Sequence, residues 1–298
     1  MFRILFSFLA TCCSVMIHAQ KGIAYTDNEI INMYSSVGEI HNKGLESAFN
    51  SLQQNYGTKY QGGLSKQDRD NMYRILDANN FAFVTKEIAV NSIDLTQMVN
   101  RDVEVRDYMY KDLVSQFLSS KEGQNLSPEI LNAFNELNSL MDDDSRCFNK
   151  SEYDRIVQDN IQNLQSFNEK VLLVCGFNIA YNSIQYWNEN LVKWQAFFSY
   201  SLTRKPTIPP KSPRPINQYS IQAFRFTSPG RNIAKADVSG IVWGGTAGCI
   251  TGAIGGSVTL PGVGTLTGCA GMGAAGAVTA GIGGSLKAAV NALLDWLF

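Results

Sequence analysis

Gly240-Ile-Val-Trp-Gly244-Gly-Thr-Ala-Gly248-Cys-Ile-Thr-Gly252-Ala-Ile-Gly-Gly256 places a glycine at every fourth position, inside a stretch that carries no charged residue from Val238 to Leu286. Residues four apart share one face of an α-helix, and a face without side chains lets a second backbone come close. After Leu260-Pro261-Gly262-Val263 the spacing resumes with Gly264, Gly268, Met272, Gly276, Ala280 and Gly284. The pattern predicts two small-faced helices, over 238–259 and 264–286, folded back on each other. Each would rise roughly 33–35 Å, against a hydrocarbon core of about 30 Å. Glycine, alanine, threonine and serine dominate both, so such a segment inserts only marginally by itself, which suits a chain that stays soluble during export and gains stability when small faces pack in lipid.

Downstream, Leu286, Ala289, Val290, Leu293, Leu294 and Leu297 follow helical spacing, with Lys287, Asn291 and Asp295 on the other side. This predicts an amphipathic end helix whose Trp296 and Phe298 either anchor at a membrane interface or dock on the rest of the protein.

Upstream, Pro206, Pro209, Pro210, Pro213 and Pro215 exclude regular helix and mark a linker over 202–235. Between Asn190 and Ala236 stand Lys193, Arg204, Lys205, Lys211, Arg214, Arg225, Arg231 and Lys235 without one acid. A cationic run beside an apolar hairpin suits an anionic membrane surface, with Arg225, Arg231 and Lys235 nearest the hairpin. A solvated linker is the plainer reading of the same residues.

From residue 20 to 201 apolar residues recur at three and four, and alternating β-branched runs are scarce, so this part is expected to be a soluble helical domain. Ser127-Pro128-Glu129 is a helix start, with a capping serine, proline in the first turn and an acid at the positive end. Ile130, Phe134, Leu137 and Met141 then line one face. A second helix begins near Ser151-Glu152-Tyr153 and runs toward Val171-Leu172-Leu173-Val174. Phe177, Tyr181, Tyr186, Trp187, Trp194, Phe197 and Phe198 supply the aromatic centre of the core. The expected fold class is therefore all-α: a helical domain plus a C-terminal glycine-zipper hairpin over 236–298.

Residues 1–19 have the layout of a secretory signal peptide: Arg3, an apolar run from Ile4 to Ala10, and Ile17-His18-Ala19 before Gln20. A lipoprotein cleaved before Cys12 is the competing reading. Either one places the protein outside the cytoplasm, secreted or in the cell envelope. Export after Ala19 leaves Cys147, Cys175, Cys249 and Cys269, for which sequence proximity favours Cys147 with Cys175 and Cys249 with Cys269. Buried free thiols are the alternative.

Chemistry is harder to find. After residue 19 a single histidine remains, His41, too few for a histidine-rich metal site. Beside Asn42 it reads as a structural hydrogen-bonder. Asp142-Asp143-Asp144-Ser145 lacks the later ligands and the glycine of a calcium loop, and no glycine-rich phosphate signature is present. No catalytic residue, metal or cofactor is expected, and the net charge of -1 gives no reason to expect nucleic acid. The expected partners are a lipid bilayer and further copies through the zipper face, along Gly240, Gly244, Gly248, Gly252, Gly256, Gly264, Gly268, Gly276 and Gly284.

The repeat from Gly240 to Gly256 and the break at Pro261-Gly262-Val263-Gly264 resemble the glycine-zipper cores of two-peptide class II bacteriocins, which implies helix pairing inside a target membrane. They are also similar to glycine-zipper segments of bacterial envelope proteins, which implies a fixed anchor instead. Val37-Gly38-Glu39-Ile40-His41-Asn42-Lys43-Gly44-Leu45 is similar to an early His-Asn-x-Gly-Leu motif in uncharacterised secreted proteins of Bacteroidetes, a resemblance that implies export but no activity. The function expected from these residues is a membrane-active, pore-forming hairpin carried or restrained by a helical domain.

Overall fold

The computed structural model describes residues 25–56, 66–87, 126–202, 230–238, 240, 245, 257–260 and 264–297. Their regular elements are helices apart from one short antiparallel hairpin. In chain order the helices are α1 (Asp27–Met33), α2 (Val37–Tyr56), α3 (Lys66–Glu87), α4 (Pro128–Asp142), α5 (Lys150–Ile161), α6 (Phe167–Leu202) and α7 (Gly268–Leu297), and residues 230–238 form a further helical segment. The predicted signal peptide, most of the linker and Arg225 lie outside the described residues.

Local rules account for most helix starts. The Thr26 hydroxyl accepts from the Glu29 N–H at 3.3 Å while the Glu29 carboxylate accepts from the Thr26 N–H at 2.7 Å, a reciprocal cap for α1. Ser127 caps α4 with Pro128 in its first turn, as expected, and Glu169 of α6 accepts from the Ser127 N–H at 2.7 Å and its hydroxyl at 2.9 Å. The helix expected from Ser151 into Val174 is in fact two. It breaks after Ile161, where the Asn160, Gln162 and Asn163 amides bond back to the carbonyls of Ile156 and Asp159 and compete with helix propagation. α6 then carries the aromatic centre: Phe177, Trp187, Trp194 and Phe198 are buried, and the Trp187 and Trp194 rings lie 5.3 Å apart.

α7 packs against α2, α3 and α6 and belongs to the same hydrophobic core as they do. Every residue from Ala274 to Val290 is buried, including Val278, Ile282, Leu286 and Val290. Among the described residues no helix is long and apolar enough to cross a membrane.

Three expectations are corrected here. First, the predicted helices do not run up to the Pro261-Gly262 break: Ser257–Leu260 and Gly264–Thr267 are strands β1 and β2, paired antiparallel with Ser257 opposite Thr267 and Leu260 opposite Gly264. Val258, Thr259, Thr265 and Thr267 are β-branched, and close to a Pro-Gly turn signal they favour a hairpin over helix. Second, the end helix is not a separate element but the last turns of α7. Its supposed solvent side faces α3, where Lys287 is 3% exposed and pairs with Asp77 at 3.7 Å, and where Asn291 accepts from the Tyr73 hydroxyl. Third, Cys147 and Cys175 are buried free thiols. Cys147 lies beside Tyr153, whose hydroxyl donates to the Cys147 carbonyl at 2.9 Å, whereas Cys175 sits in α6 near Tyr34, so different parts of the core hold the two thiols. Cys249 lies outside the described residues, and Cys269 is in the first turn of α7.

Candidate functional site

Backbone fit decides what meets in the middle of the molecule. A Cβ at Gly240 would overlap the Ala280 carbonyl oxygen of α7, and one at Gly284 would stand 2.8 Å from the Ala236 carbonyl oxygen and 3.9 Å from the Gly240 Cα. The segment 230–240 and α7 therefore touch backbone to backbone, which places Asp237 against α7 at Ser285. On the other side of α7, a Cβ at Gly44 of α2 would overlap Ile282, and one at Gly38 would come within 2.6 Å of the Asn178 carbonyl oxygen of α6. The glycines of the motif Gly38 to Leu45 thus seat α2 against both α6 and α7, and His41, between them, is turned into the interior.

The result is a polar cluster at the meeting of four elements, with His41, Ser183, Asp237 and Ser285 all at 0% exposure. His41 Nε2 lies 3.6 Å from Asp237 Oδ2, and Ser183 of α6 donates to the same carboxylate oxygen. Trp187 Nε1 donates to Ser285 Oγ at 2.9 Å, and the indole and both hydroxyls stabilise the charged form of Asp237. His41 Nδ1 is 3.1 Å from Asn42 Oδ1, and the Asn42 amide donates to the Asn182 carbonyl at 3.0 Å. The expected partnership of His41 with Asn42 is present. Among the described residues, His41 Nε2 and Asp237 Oδ1 complete no hydrogen bond, although both atoms are sealed from solvent.

Burial shifts both titrating groups away from charge. Desolvation holds His41 down to about 4, against weaker opposing contributions from Asn42 and the Gly281 carbonyl. It raises Asp237 well above the usual carboxylate range, with Ser183, Ser285 and Trp187 opposing. Nearby, Asn80 of α3 donates to the Thr279 carbonyl of α7 at 2.9 Å, so a second buried side chain ties α7 to its neighbours.

Of the residues expected to pack helices, Gly240 and Gly284 stand at a close backbone approach, Gly276 is buried within α7, Gly264 opens β2 and Gly268 opens α7. Gly244, Gly248, Gly252 and Gly256 lie outside the described residues. Arg231 and Lys235, expected at a membrane surface, instead meet the acidic run after α4: Arg231 pairs with Asp144, and Lys235 with Asp142 at 2.7 Å. Trp296 falls in the last turn of α7, and Phe298 lies beyond the described residues. No group of histidine, cysteine or carboxylate side chains among the described residues could hold a metal ion.

Asp237, Ser183, Trp187 and Ser285 were not singled out from the sequence as site residues. One signal was available: Asp237 is the first acid after a long cation-only stretch, and together with Lys287 it brackets the uncharged segment. No family model, curated protein or solved structure matches the chain.

Proposed function

We propose that this is an exported bacterial protein that stores a membrane-active, glycine-rich segment inside a helical domain and releases it at a target bilayer. The observation that carries this reading is the enclosure of α7: a helix with no charged residue before Lys287, buried from Ala274 to Val290 between α2, α3 and α6. α2 turns its buried face, which includes Ile40, Gly44 and Leu45 and also His41, toward that segment and α6. The small-residue faces that let 230–240 and α7 touch inside the protein are of the kind that pair helices in lipid, so the same contact serves both states. Opening also frees Arg231 and Lys235 from Asp144 and Asp142 for an anionic surface. The polar cluster is read as structural, because its members are sealed and none could reach a substrate in this state.

Dye release tests the proposal. Purified protein added to anionic vesicles should release trapped dye, with less release from neutral vesicles and at high salt, and Gly248→Ile and Gly252→Ile should each reduce it. Binding that is equal on both lipids and independent of salt would favour a constitutive envelope anchor. Absence of vesicle binding would sink the membrane reading and leave α7 as the central helix of a helical binding module.

A further inference from the structure

Two ionisable residues bracket the uncharged segment, Asp237 at its start and Lys287 at its end, and both are buried. Each is met by a side chain from an enclosing helix: Asp237 by His41 of α2 at 3.6 Å, Lys287 by Asp77 of α3 at 3.7 Å. The two contacts differ in one respect. Asp77 reaches solvent at 33% exposure, whereas His41 and Asp237 are both at 0%. Charge at the Lys287 end can be screened, but charge at the Asp237 end cannot.

We propose that His41 and Asp237 form a latch that holds the glycine-rich helices in the core while the two side chains carry one proton between them. This rests on the reading that the segment is stored for release. With one proton the pair is net neutral, whether as carboxylic acid with neutral imidazole or as carboxylate with imidazolium. Either form places one N–H or O–H between Nε2 and Oδ2. A second proton leaves a net positive charge in a sealed site, and loss of the only proton leaves a net negative one. Water reaches neither, so both states favour opening.

Among the described residues no other charge stands in the cluster to alter that count. On α2, Glu46 is at the surface with Lys193 of α6 at 2.6 Å. α6 presents Ser183 and Trp187, which do not titrate in this range. α7 presents Ser285, with Lys287 beyond it already paired to Asp77. On the segment that carries Asp237, Arg231 and Lys235 are held by Asp144 and Asp142.

The sign of each contribution follows from its shift. His41 is depressed to about 4 in the closed protein, so what it contributes is full above its ordinary value of about 6.5 and is lost as pH falls toward 4. Asp237 is raised, so its contribution is full below the ordinary carboxylate value of about 3.9 and is lost as pH rises. Between roughly pH 4 and 6.5 the closed pair and the opened chain each hold one proton, and the latch is flat and tightest there. It weakens as pH rises above that window, where the opened chain gives up the proton that the closed pair keeps.

Amide hydrogen exchange over 274–290 in the full chain without lipid, followed from about pH 4 to 9 and corrected for intrinsic exchange, reads this directly. The wild type should show a plateau from about pH 4 to 6.5 and lose protection as pH rises above it. Asp237→Asn leaves only the histidine and should lose protection as pH falls through 6.5 toward 4, by up to about tenfold per pH unit. His41→Gln leaves only the acid and should lose protection in the opposite direction, as pH rises above about 4. Three parallel profiles would overturn the latch. Should a variant fail to fold, NMR titration of the remaining imidazole in His18→Gln decides the matter: a shift well below 6.5 supports the proposal, and titration near 6.5 overturns it. A failed dye-release experiment with the opposed pH profiles intact would remove the membrane reading and leave the latch standing.

Discussion

α6 and α7 are the two longest helices among the described residues, and their buried parts are packed by opposite means. α6 fills space with Phe177, Trp187, Trp194 and Phe198: Trp187 leans on Trp194, Trp194 on Phe49, Phe177 on Tyr153 and Phe198 on Phe197. α7 fills little space and instead brings backbones together, at Gly284 against Ala236 and at Ala280 against Gly240. Bulk can be rearranged, because neighbouring rotamers adjust around a lost or altered ring. A backbone contact has no rotamer to give. The difference suits the proposed roles: a side-chain layer makes a durable sheath, and a layer held by absent side chains can part cleanly and pair again elsewhere.

The largest expected effect breaks the backbone layer. Gly240→Val puts a branched side chain where the Ala280 carbonyl already stands, and the helices must separate or the segment must leave the core. Urea unfolding should report a loss of more than about 3 kcal/mol. Phe177→Leu in the bulk layer should cost clearly less, about 1–2 kcal/mol, because the substitution stays apolar and Phe134 and Tyr153 can shift toward the gap. Equal losses would erase the distinction between the two layers. Gly284→Ala sharpens it: its Cβ would meet the Ala236 oxygen at 2.8 Å, so even one methyl should cost about 1 kcal/mol or more, although alanine favours helix.

How far the sequence could be read follows the same division. Helical spacing, the Ser127-Pro128 start and the aromatic centre of α6 are local or periodic signals, and the structure has them. Gly240 and Gly284, two glycines of the four-residue register, stand where backbones approach closely. Register does not say which backbone approaches or from which solvent the face is hidden, and α7 is enclosed by α2, α3 and α6. The strands at Ser257–Leu260 and Gly264–Thr267 were missed because glycine spacing outweighed four β-branched residues beside a Pro-Gly signal. The polar cluster was hidden for a different reason. Its members come from positions 41, 183, 187, 237 and 285, and only folding brings such distant residues together.

The smallest expected effect concerns the charges at the edge of the backbone layer. Lys235 and Asp142 pair at 2.7 Å, but the Asp142 side chain is 51% exposed, so side-chain entropy and screening offset most of the attraction. A double-mutant cycle with Lys235→Met and Asp142→Asn should give a coupling under about 1 kcal/mol, falling further in 1 M salt. That outcome would leave the glycine fit and the His41–Asp237 contact as what retains the segment, with the surface pairs setting only where its cations rest before release. A coupling of several kcal/mol, persisting in salt, would move the restraint from the backbone layer to the acidic run after α4. The contrast between α6 and α7 would then describe how the two helices pack but not what keeps the second one in place.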